Sequence, residues 1–265
     1  MLILDWQAFA DEIKFNNRFF PQSNQILQAI DEMFDKHIET LEPGTKFYRA
    51  RLIELSEMRI YKETLSGYAE KESMAPDAHF ATAQRASPER IAYLYVAQDE
   101  YTALSETRPG LLSFISVAEL EAIDKLNIFD LWVDINTPRF DSNHFQLARC
   151  FSAVIAEREK ELDYLPMQFV AEYVKKKGVD GIRYVSYQSQ VGKNIVIFEK
   201  DKVKFLQSKI IYNQNVSYSF LDLTNPERKP VVNEAERSPL PKDFADRIKS
   251  SVQINQWENL KNNSG

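Results

Sequence analysis

The order of strand-like and helix-like segments limits the fold of this chain more than any other feature of its sequence. Short apolar runs rich in β-branched and aromatic residues predict strands, and a helix does not follow each of them. Regular alternation would indicate a doubly wound parallel sheet, so the irregular order favours an α+β fold with a mixed, mostly antiparallel sheet. The predicted strands are 46–52, 93–96, 112–117, 127–133, 182–185, 195–198 and 203–211.

Further regions lie before, within and after this strand-rich part. Apolar residues recur at helical spacing from Ser23 to Leu41, which predicts a helical N-terminal region. Polar residues without periodicity at Glu54–Ala78 predict a loop or lid. Beyond Thr224 the chain is polar and contains prolines, which is typical of a tail, with one marginal helix near Asp243–Val252. The predicted divisions are an N-terminal helical extension (1–44), a sheet-containing domain (45–222) and a polar tail (223–265).

Three more helices are predicted inside the sheet-containing domain. Asp99 is placed to cap a short helix that carries Glu106. Two longer helices are expected at Asn143–Arg158 and Pro166–Lys177 because their apolar residues recur at helical spacing. Gly178 follows the last of them, in the position where glycine commonly ends a helix.

Composition and charge exclude several classes of function. A net charge of −6 gives no long-range attraction for nucleic acid, although a few arginines still suffice to bind a phosphate. No apolar run is long enough to cross a membrane, and the N-terminus lacks the pattern of a signal peptide, so a cytoplasmic protein is expected. Cys150 is the single cysteine, which rules out an internal disulfide. His37, His79 and His144 are scattered, so no metal site is predicted.

Arginine, glutamate and tyrosine side chains lie near the ends of several predicted strands. Arg49 and Arg51 alternate along the first strand, Glu106 lies on the helix after the second, and Tyr184 and Ser186 end a later one. Guanidinium groups bind phosphates bidentately and tyrosine rings stack on flat rings, so these residue types suit a ligand with a pyrophosphate and an aromatic group. Considered singly, each residue is equally compatible with a solvated or a packed position.

The order and spacing of these residues in four separated motifs resemble the RES-domain family, over about Phe47–Tyr218. Each motif matches the family pattern at several positions. The motifs occur in the same order as in the family, with similar gaps between them. The motifs are FYRAR (47–51), QRASPERIAYLYVA (84–97), TALSETRP (102–109) and AEYVKKKGVDGIRYVS (171–186) followed by GKNIVIF (192–198).

The resemblance implies an ADP-ribosyltransferase-like fold and the breakdown of NAD+ by hydrolysis or phosphorolysis. NAD+ is then a substrate, phosphate is a candidate co-substrate, and no other cofactor is implied. Many members of the family are toxins that a neighbouring antitoxin protein restrains, so such a partner is expected. On the matching positions the resemblance assigns catalytic roles to Arg49, Glu106 and Ser186, and NAD+ binding to Arg49, Arg51, Arg85, Tyr95 and Tyr184.

The chain departs from the family pattern at three positions of the second motif. Gln84 and Arg90 stand where the family has glycine, and Ser87 stands where it has asparagine. Glycine permits a positive φ and a close approach of the backbone to a ligand, so this loop is expected to follow another path. Two alternatives to an NAD+-degrading enzyme stay open: transfer of ADP-ribose to a protein, and an inactive module that binds a nucleotide or a partner, which the altered loop suggests.

Overall fold

An eight-stranded sheet carries most of the residues that the sequence predicts to bind a ligand. The computed structural model of the chain describes residues 5–22, 25–61, 64–134, 142–153, 155, 160–189, 191–216, 220–221, 230–231, 246–250 and 252–253. The strands in chain order are β1 (Ile38–Leu41), β2 (Lys46–Leu52), β3 (Arg59–Tyr61), β4 (Thr64–Ser66), β5 (Leu94–Ala97), β6 (Phe114–Ala122), β7 (Leu126–Leu131), β8 (Gly181–Val185), β9 (Lys193–Ile197), β10 (Val203–Tyr212), β11 (Phe220–Leu221) and β12 (Pro230–Val231).

Helices cover the N-terminal region and the connections between strands. A π-helical turn, Glu12–Asn16, continues the first helix, and a 3₁₀ turn, Phe34–His37, continues the second. The α-helices are α1 (Trp6–Asp11), α2 (Gln25–Met33), α3 (Glu70–Ser73), α4 (Glu100–Glu106), α5 (Asn143–Ser152) and α6 (Lys160–Lys176).

The sheet has the spatial order β1-β7-β8-β9-β5-β2-β6-β10. Strands β7 and β8 are parallel, and each of the other neighbouring pairs in the sheet is antiparallel. Strands β3 and β4 form a separate hairpin, as do β11 and β12. The predicted α+β class, with a mixed and mostly antiparallel sheet and helices at the N-terminus, is confirmed.

Apolar side chains cover both faces of the sheet, which explains the continuous apolar runs in its central strands. On β9, Ile195 and Ile197 point to one face and Val196 to the other, as the alternation of side chains along a strand requires. The face of Val196 packs against the N-terminal helices, α5 and α6, whose fully buried side chains include Phe9 and Phe151. This packing fixes α5 against the sheet.

The predicted N-terminal helix is wrong at its C-terminal end. Residues Ile38–Leu41 form β1, which pairs antiparallel with β7 and closes one edge of the sheet. Helical spacing alone does not distinguish these four residues from a strand, and pairing with β7 decides the outcome because it satisfies the backbone hydrogen bonds. The last residues of the N-terminal extension therefore form an edge strand of the sheet. Residues 23 and 24, at the start of the predicted helix, lie outside the described part.

The predicted loop at Glu54–Ala78 contains short regular elements, namely a 3₁₀ turn at Leu55–Glu57, the β3–β4 hairpin and α3. These elements were not predicted because such short, polar segments produce little periodicity. In the C-terminal region, helical residues are described at 246–250 and 252–253. Val252 is 1% exposed and packs in a small cluster with Ile53, Met58 and Tyr68.

The two long predicted helices differ from the structure in their bounds. The first ends at Ser152, and of residues 153–158 only 153 and 155 are described. The second begins at Lys160, before Pro166, and Gly178 after it has a φ of 92°. Gly181 lies in β8, where an added Cβ would come within 2.3 Å of the Val196 carbonyl oxygen.

Candidate active site

A cavity of about 600 Å³ opens where strands β5 and β2 diverge within the sheet. Tyr48 and Ala97 form the single matched pair between these two strands, whereas β2 pairs along its whole length with β6. The divergence leaves the polar side chains at this point accessible from one side. The charged and aromatic residues that line the cavity are Tyr48, Arg49, Arg85, Tyr95, Glu106, Arg108, Tyr164, Tyr184 and Tyr187.

Glu106 enters the cavity from the last residue of α4, and two side chains, one from the turn after β8 and one from β9, hold its carboxylate. The hydroxyl of Ser186 donates a hydrogen bond of 2.6 Å to Oε1, and Nδ2 of Asn194 donates one of 2.7 Å to the same atom. The backbone N–H of Ser189 donates to the Ser186 hydroxyl at 3.2 Å, which directs the hydroxyl proton toward Glu106. Both donors are neutral, so the carboxylate is oriented, and none of the described residues forms an ion pair with it.

The start of α4 is fixed by the predicted cap. The carboxylate of Asp99 accepts hydrogen bonds from the backbone N–H of Thr102 at 2.8 Å and from its hydroxyl at 2.7 Å. Gly192 packs against this turn, and an added Cβ there would lie 2.2 Å from Thr102 Oγ1. The close approach joins α4 to the β8–β9 turn that carries Ser186.

Ser186, to which the resemblance assigns a catalytic role, lies behind Glu106. Its side chain is fully buried, does not line the cavity and contacts Glu106. Asn194 received no role from the sequence, although it lies in the GKNIVIF segment that carries part of the resemblance. Its position as a polar residue between apolar strand residues is the signal that identifies it.

Arg49 lies half-buried on β2, with its guanidinium group beside α3. Nη1 donates hydrogen bonds of 3.0 Å to the carbonyl oxygens of both Ser73 and Met74. Burial, and then the nearby charge of Arg51, lower its pKa to about 10. No carboxylate in the described part of the chain lies within ion-pairing distance, so this positive charge is available to a ligand.

Arg51 does not line the cavity. It is exposed on the same strand, and its Nη1 donates a hydrogen bond of 2.6 Å to the carbonyl oxygen of Glu72. Its guanidinium carbon lies 5.1 Å from the centre of the Tyr68 ring, in a cation–π arrangement. The structure therefore separates two arginines that the sequence places side by side.

Arg85 reaches the cavity from the loop before β5. Its guanidinium donates to the carbonyl oxygens of Phe151 at 2.5 Å and Ala153 at 2.9 Å, at the C-terminal end of α5. Helix C-termini carry unsatisfied carbonyl groups and a partial negative charge, which together orient this side chain. Within the described residues it has no carboxylate partner.

Tyr95 and Tyr184 both line the cavity. The Tyr95 hydroxyl accepts a hydrogen bond from the backbone N–H of Ala86 at 3.0 Å and bonds to the Ser87 hydroxyl at 3.0 Å, so it also holds the preceding loop. Burial raises the pKa of Tyr95 to about 12 and also raises that of Tyr184. The Tyr184 ring packs edge-on against Phe151.

The loop that departs from the family pattern is tightly closed. The N–H of Gln84 donates to the carbonyl oxygen of Ser87 at 2.8 Å. The side-chain amide of Gln168 donates to the carbonyl oxygens of both Gln84 and Ser87. Arg90 has a φ of 66°, the left-handed region that glycine occupies at no steric cost. Gln84 has no positive φ, so the backbone does not require glycine at that position.

Two histidines that the sequence separates by more than a hundred residues meet at the far edge of the sheet. The rings of His37 and His144 stack with centroids 3.8 Å apart, while His79 lies elsewhere and is exposed. Burial raises the pKa of the Cys150 thiol to about 11, which does not favour a nucleophilic role. Among the described residues no group of three or more potential ligands is placed to hold a metal ion. None of the described helices has the length and apolar character to cross a membrane.

The family model of the RES domain matches residues 58–221, which is more than half of the chain. The chain belongs to the RES domain family. The matched range contains Arg85, Tyr95, Glu106 and Ser186, whereas Arg49 and Arg51 precede it.

Among solved structures, the RES domain chain is similar to one from a crystal structure of the M. tuberculosis MbcT–MbcA toxin–antitoxin complex. The two share 13% sequence identity, and the alignment covers 70% of this chain and 91% of the other with a TM-score of 0.40. No curated protein matches the chain in sequence.

Proposed function

We propose that the cavity binds NAD+ and that the protein cleaves the bond between nicotinamide and ribose. The observation that carries the proposal is the Glu106 carboxylate, which Ser186 and Asn194 orient without neutralising it, in the same cavity as Arg49 and Arg85. The membership of the RES domain family and the motif resemblance support the choice of NAD+ among ligands that contain a pyrophosphate.

The chemistry requires one well-placed carboxylate. Nicotinamide leaves the pyridinium of NAD+ as a neutral base, so its departure needs no general acid, unlike the oxygen leaving groups of most glycosides. Positive charge develops on the ribose as the bond breaks. Glu106 is placed to stabilise that charge or to orient the attacking group, and its fixed geometry avoids reorganisation during the reaction.

The positive groups of the cavity suit the rest of the substrate. The pyrophosphate of NAD+ carries two negative charges, and the guanidinium groups of Arg49 and Arg85 are two cations without carboxylate partners in the described part of the chain. Tyr95 and Tyr184 offer ring surface for a flat heterocycle. Either water or phosphate is the acceptor under this proposal.

The experiment follows NAD+ concentration and nicotinamide release over time with purified protein, with and without phosphate. Glu106→Gln is expected to lower turnover by about 100-fold or more because it removes the charge that stabilises the transition state. Glu100→Gln is the matched control, since this glutamate lies on the same helix, pairs with Lys209 and does not line the cavity. Binding of NAD+ without turnover in the parent would instead support the inactive module.

We also propose, on the family resemblance, that this activity arrests growth when unrestrained and that a neighbouring antitoxin protein restrains it. Induced expression of the parent in a bacterial host is expected to lower cellular NAD+ and stop growth, whereas Glu106→Gln is expected to do neither. Growth arrest with unchanged NAD+ and ADP-ribosylated host proteins would favour transfer of ADP-ribose to protein.

A further inference from the structure

The C-terminal region, in which the sequence predicts a polar tail with one marginal helix, contributes to an apolar cluster of the folded protein. Helical residues are described at 246–250 and 252–253. Val252 is 1% exposed, and Ile248 packs against the same cluster. The buried residues that share the cluster with Val252 are Ile53, Met58 and Tyr68. Burial of these apolar side chains holds the segment against the body of the protein.

Tyr68 connects this cluster to α3. Its carbonyl oxygen accepts a hydrogen bond of 3.2 Å from the hydroxyl of Ser73, the last residue of α3, which is 3% exposed. The hydroxyl of Ser208 on β10 donates to the same oxygen at 2.8 Å. The N–H of Tyr68 donates to the Ser116 hydroxyl on β6, also at 2.8 Å. Tyr68 is thus fixed to the sheet by two hydrogen bonds and to α3 by a third.

The end of α3 that Tyr68 holds is also the end that orients Arg49. Nη1 of Arg49 donates to the carbonyl oxygens of Ser73 and Met74, each at 3.0 Å. The last carbonyl groups of a helix have no partner within it, which leaves them able to accept these bonds. A helix as short as α3 has little stability of its own, so its position depends on the groups that pack against it.

We propose that Tyr68 and Val252 are positioning residues, which act through α3 to place the Arg49 guanidinium for an anionic group of NAD+. This role rests on the proposed function, which it deepens by giving the C-terminal region a part in substrate binding. Displacement of a binding group by about 1 Å is enough to weaken its interaction strongly. Glu106 is held separately, from β9 and the turn after β8, so the turnover of bound substrate should depend less on α3.

The test measures initial rates as a function of NAD+ concentration in the parent and in Val252→Ala. Loss of packing against Tyr68 is expected to raise the KM for NAD+ about fivefold and to change kcat by less than about twofold. Val174→Ala is the matched control, because this valine is equally buried, lies on α6 and does not line the cavity. The control removes the same atoms from a part of the core that does not contact α3, so its KM should stay near that of the parent.

A second pair of variants tests the link between Tyr68 and α3 without a change in apolar packing. Ser73→Ala removes the hydrogen bond to the Tyr68 carbonyl oxygen, which stays bonded to Ser208, so the melting temperature should change little. The KM for NAD+ is nevertheless expected to rise about threefold because α3 is held less firmly. Ser208→Ala is the control, since it removes the other bond to the same oxygen from β10 and leaves the bond to α3 intact.

Three outcomes would overturn the positioning role: a KM in Val252→Ala equal to that in Val174→Ala, a KM in Ser73→Ala equal to that in Ser208→Ala, or a fall in kcat at unchanged KM. Failure of the proposed function would appear differently, as no NAD+ consumption by the parent. In that event amide hydrogen exchange decides, because the N–H groups of Ser73 and Met74 close the turn of α3. Their exchange is expected to be faster in Val252→Ala than in the parent or Val174→Ala, and equal exchange in all three would also contradict the inference.

Discussion

Two arginines of the same sheet, Arg183 and Arg49, are held in opposite ways. Arg183 on β8 is 3% exposed, and its guanidinium lies 2.9 Å from carboxylate oxygens of both Asp130 and Glu39. Arg49 on β2 donates to backbone carbonyl oxygens and has no carboxylate partner among the described residues. The positive charge is neutralised inside the protein in the first case and left unpaired in the second.

The difference separates a structural charge from one that is free to bind a ligand. Burial lowers the pKa of Arg183, but its hydrogen bonds to Asp130 and Glu39 more than offset this effect and raise the pKa overall. At Arg49, burial dominates and the pKa falls to about 10. A desolvated charge without a partner costs free energy. Ion pairs offset this cost at Arg183, and an anionic ligand would offset it at Arg49.

Matched substitutions to methionine test this contrast with the largest expected effect. Arg183→Met leaves the Asp130 and Glu39 carboxylates without their cation and is expected to lower the free energy of unfolding by about 3 kcal/mol. Arg49→Met removes hydrogen bonds to carbonyl groups but also a desolvated charge, so its loss is expected to stay below about 1.5 kcal/mol. Urea unfolding of both variants without ligand measures the difference, and equal losses would break the comparison.

The carboxylates show the same contrast, which Ser186→Ala tests. Neutral donors hold Glu106, whereas Arg183 holds Asp130 and Glu39. Removal of the Ser186 hydroxyl is expected to lower kcat about tenfold with a smaller change in the KM for NAD+, because Glu106 is then less well oriented. Ser105→Ala, on the exposed side of the same helix, is the control. A rise in KM with unchanged kcat would assign Ser186 to substrate binding instead.

Sequence patterns predicted the strands of the sheet because they depend on local regularities. The strand at Lys46–Leu52 and the cap at Asp99 were predicted correctly, since alternation and capping are readable within one segment. The resemblance also pointed to Arg85, Tyr184 and Glu106, which line one cavity.

What local patterns could not supply is the partner of each side chain. Ser186 and Glu106 are 80 residues apart in sequence, and only the pairing of β8 with β9 next to α4 brings their side chains together. The separation of Arg51 from the cavity depends likewise on Tyr68 and the backbone near Glu72, which lie in a stretch without periodicity.

The Arg183 end of the sheet is also expected to be its acid-sensitive end. His144 lies on α5 with Nε2 at 2.8 Å from the carbonyl oxygen of Asp130, and it stacks on His37. Burial lowers the pKa of His37 below its usual 6.5, with further lowering by His144 and Lys36 against the opposing charge of Asp130. Below about 6.5 the unfolded chain binds a proton that the folded chain resists, so stability falls as the pH drops.

Unfolding by urea at pH 7 and pH 5 measures this effect. The decrease in unfolding free energy between the two pH values is expected to be smaller in His37→Gln than in the parent. His79→Gln is the control, because that histidine is exposed and outside the stacked pair. A decrease of the same size in all three proteins would show that the pair does not contribute to acid sensitivity.

Substitution of Arg90, a third arginine without a neutralising role, is expected to have the smallest effect on stability. Its side chain is exposed beside Glu89 and needs no neutralising partner, so its cost lies in the backbone, with a φ of 66°. Arg90→Ala keeps that cost and is expected to change stability little, since surface ion pairs contribute at most about 1 kcal/mol. Arg90→Gly removes a steric cost of about 1 kcal/mol in the folded state, but glycine also makes the unfolded chain more flexible. The free energy of unfolding of Arg90→Gly should therefore exceed that of Arg90→Ala by less than about 1 kcal/mol. Thermal unfolding of Arg90→Gly and Arg90→Ala measures the difference. If the glycine variant is less stable than the alanine variant, the backbone at residue 90 is unstrained, and any cost of the arginine lies in its charge alone.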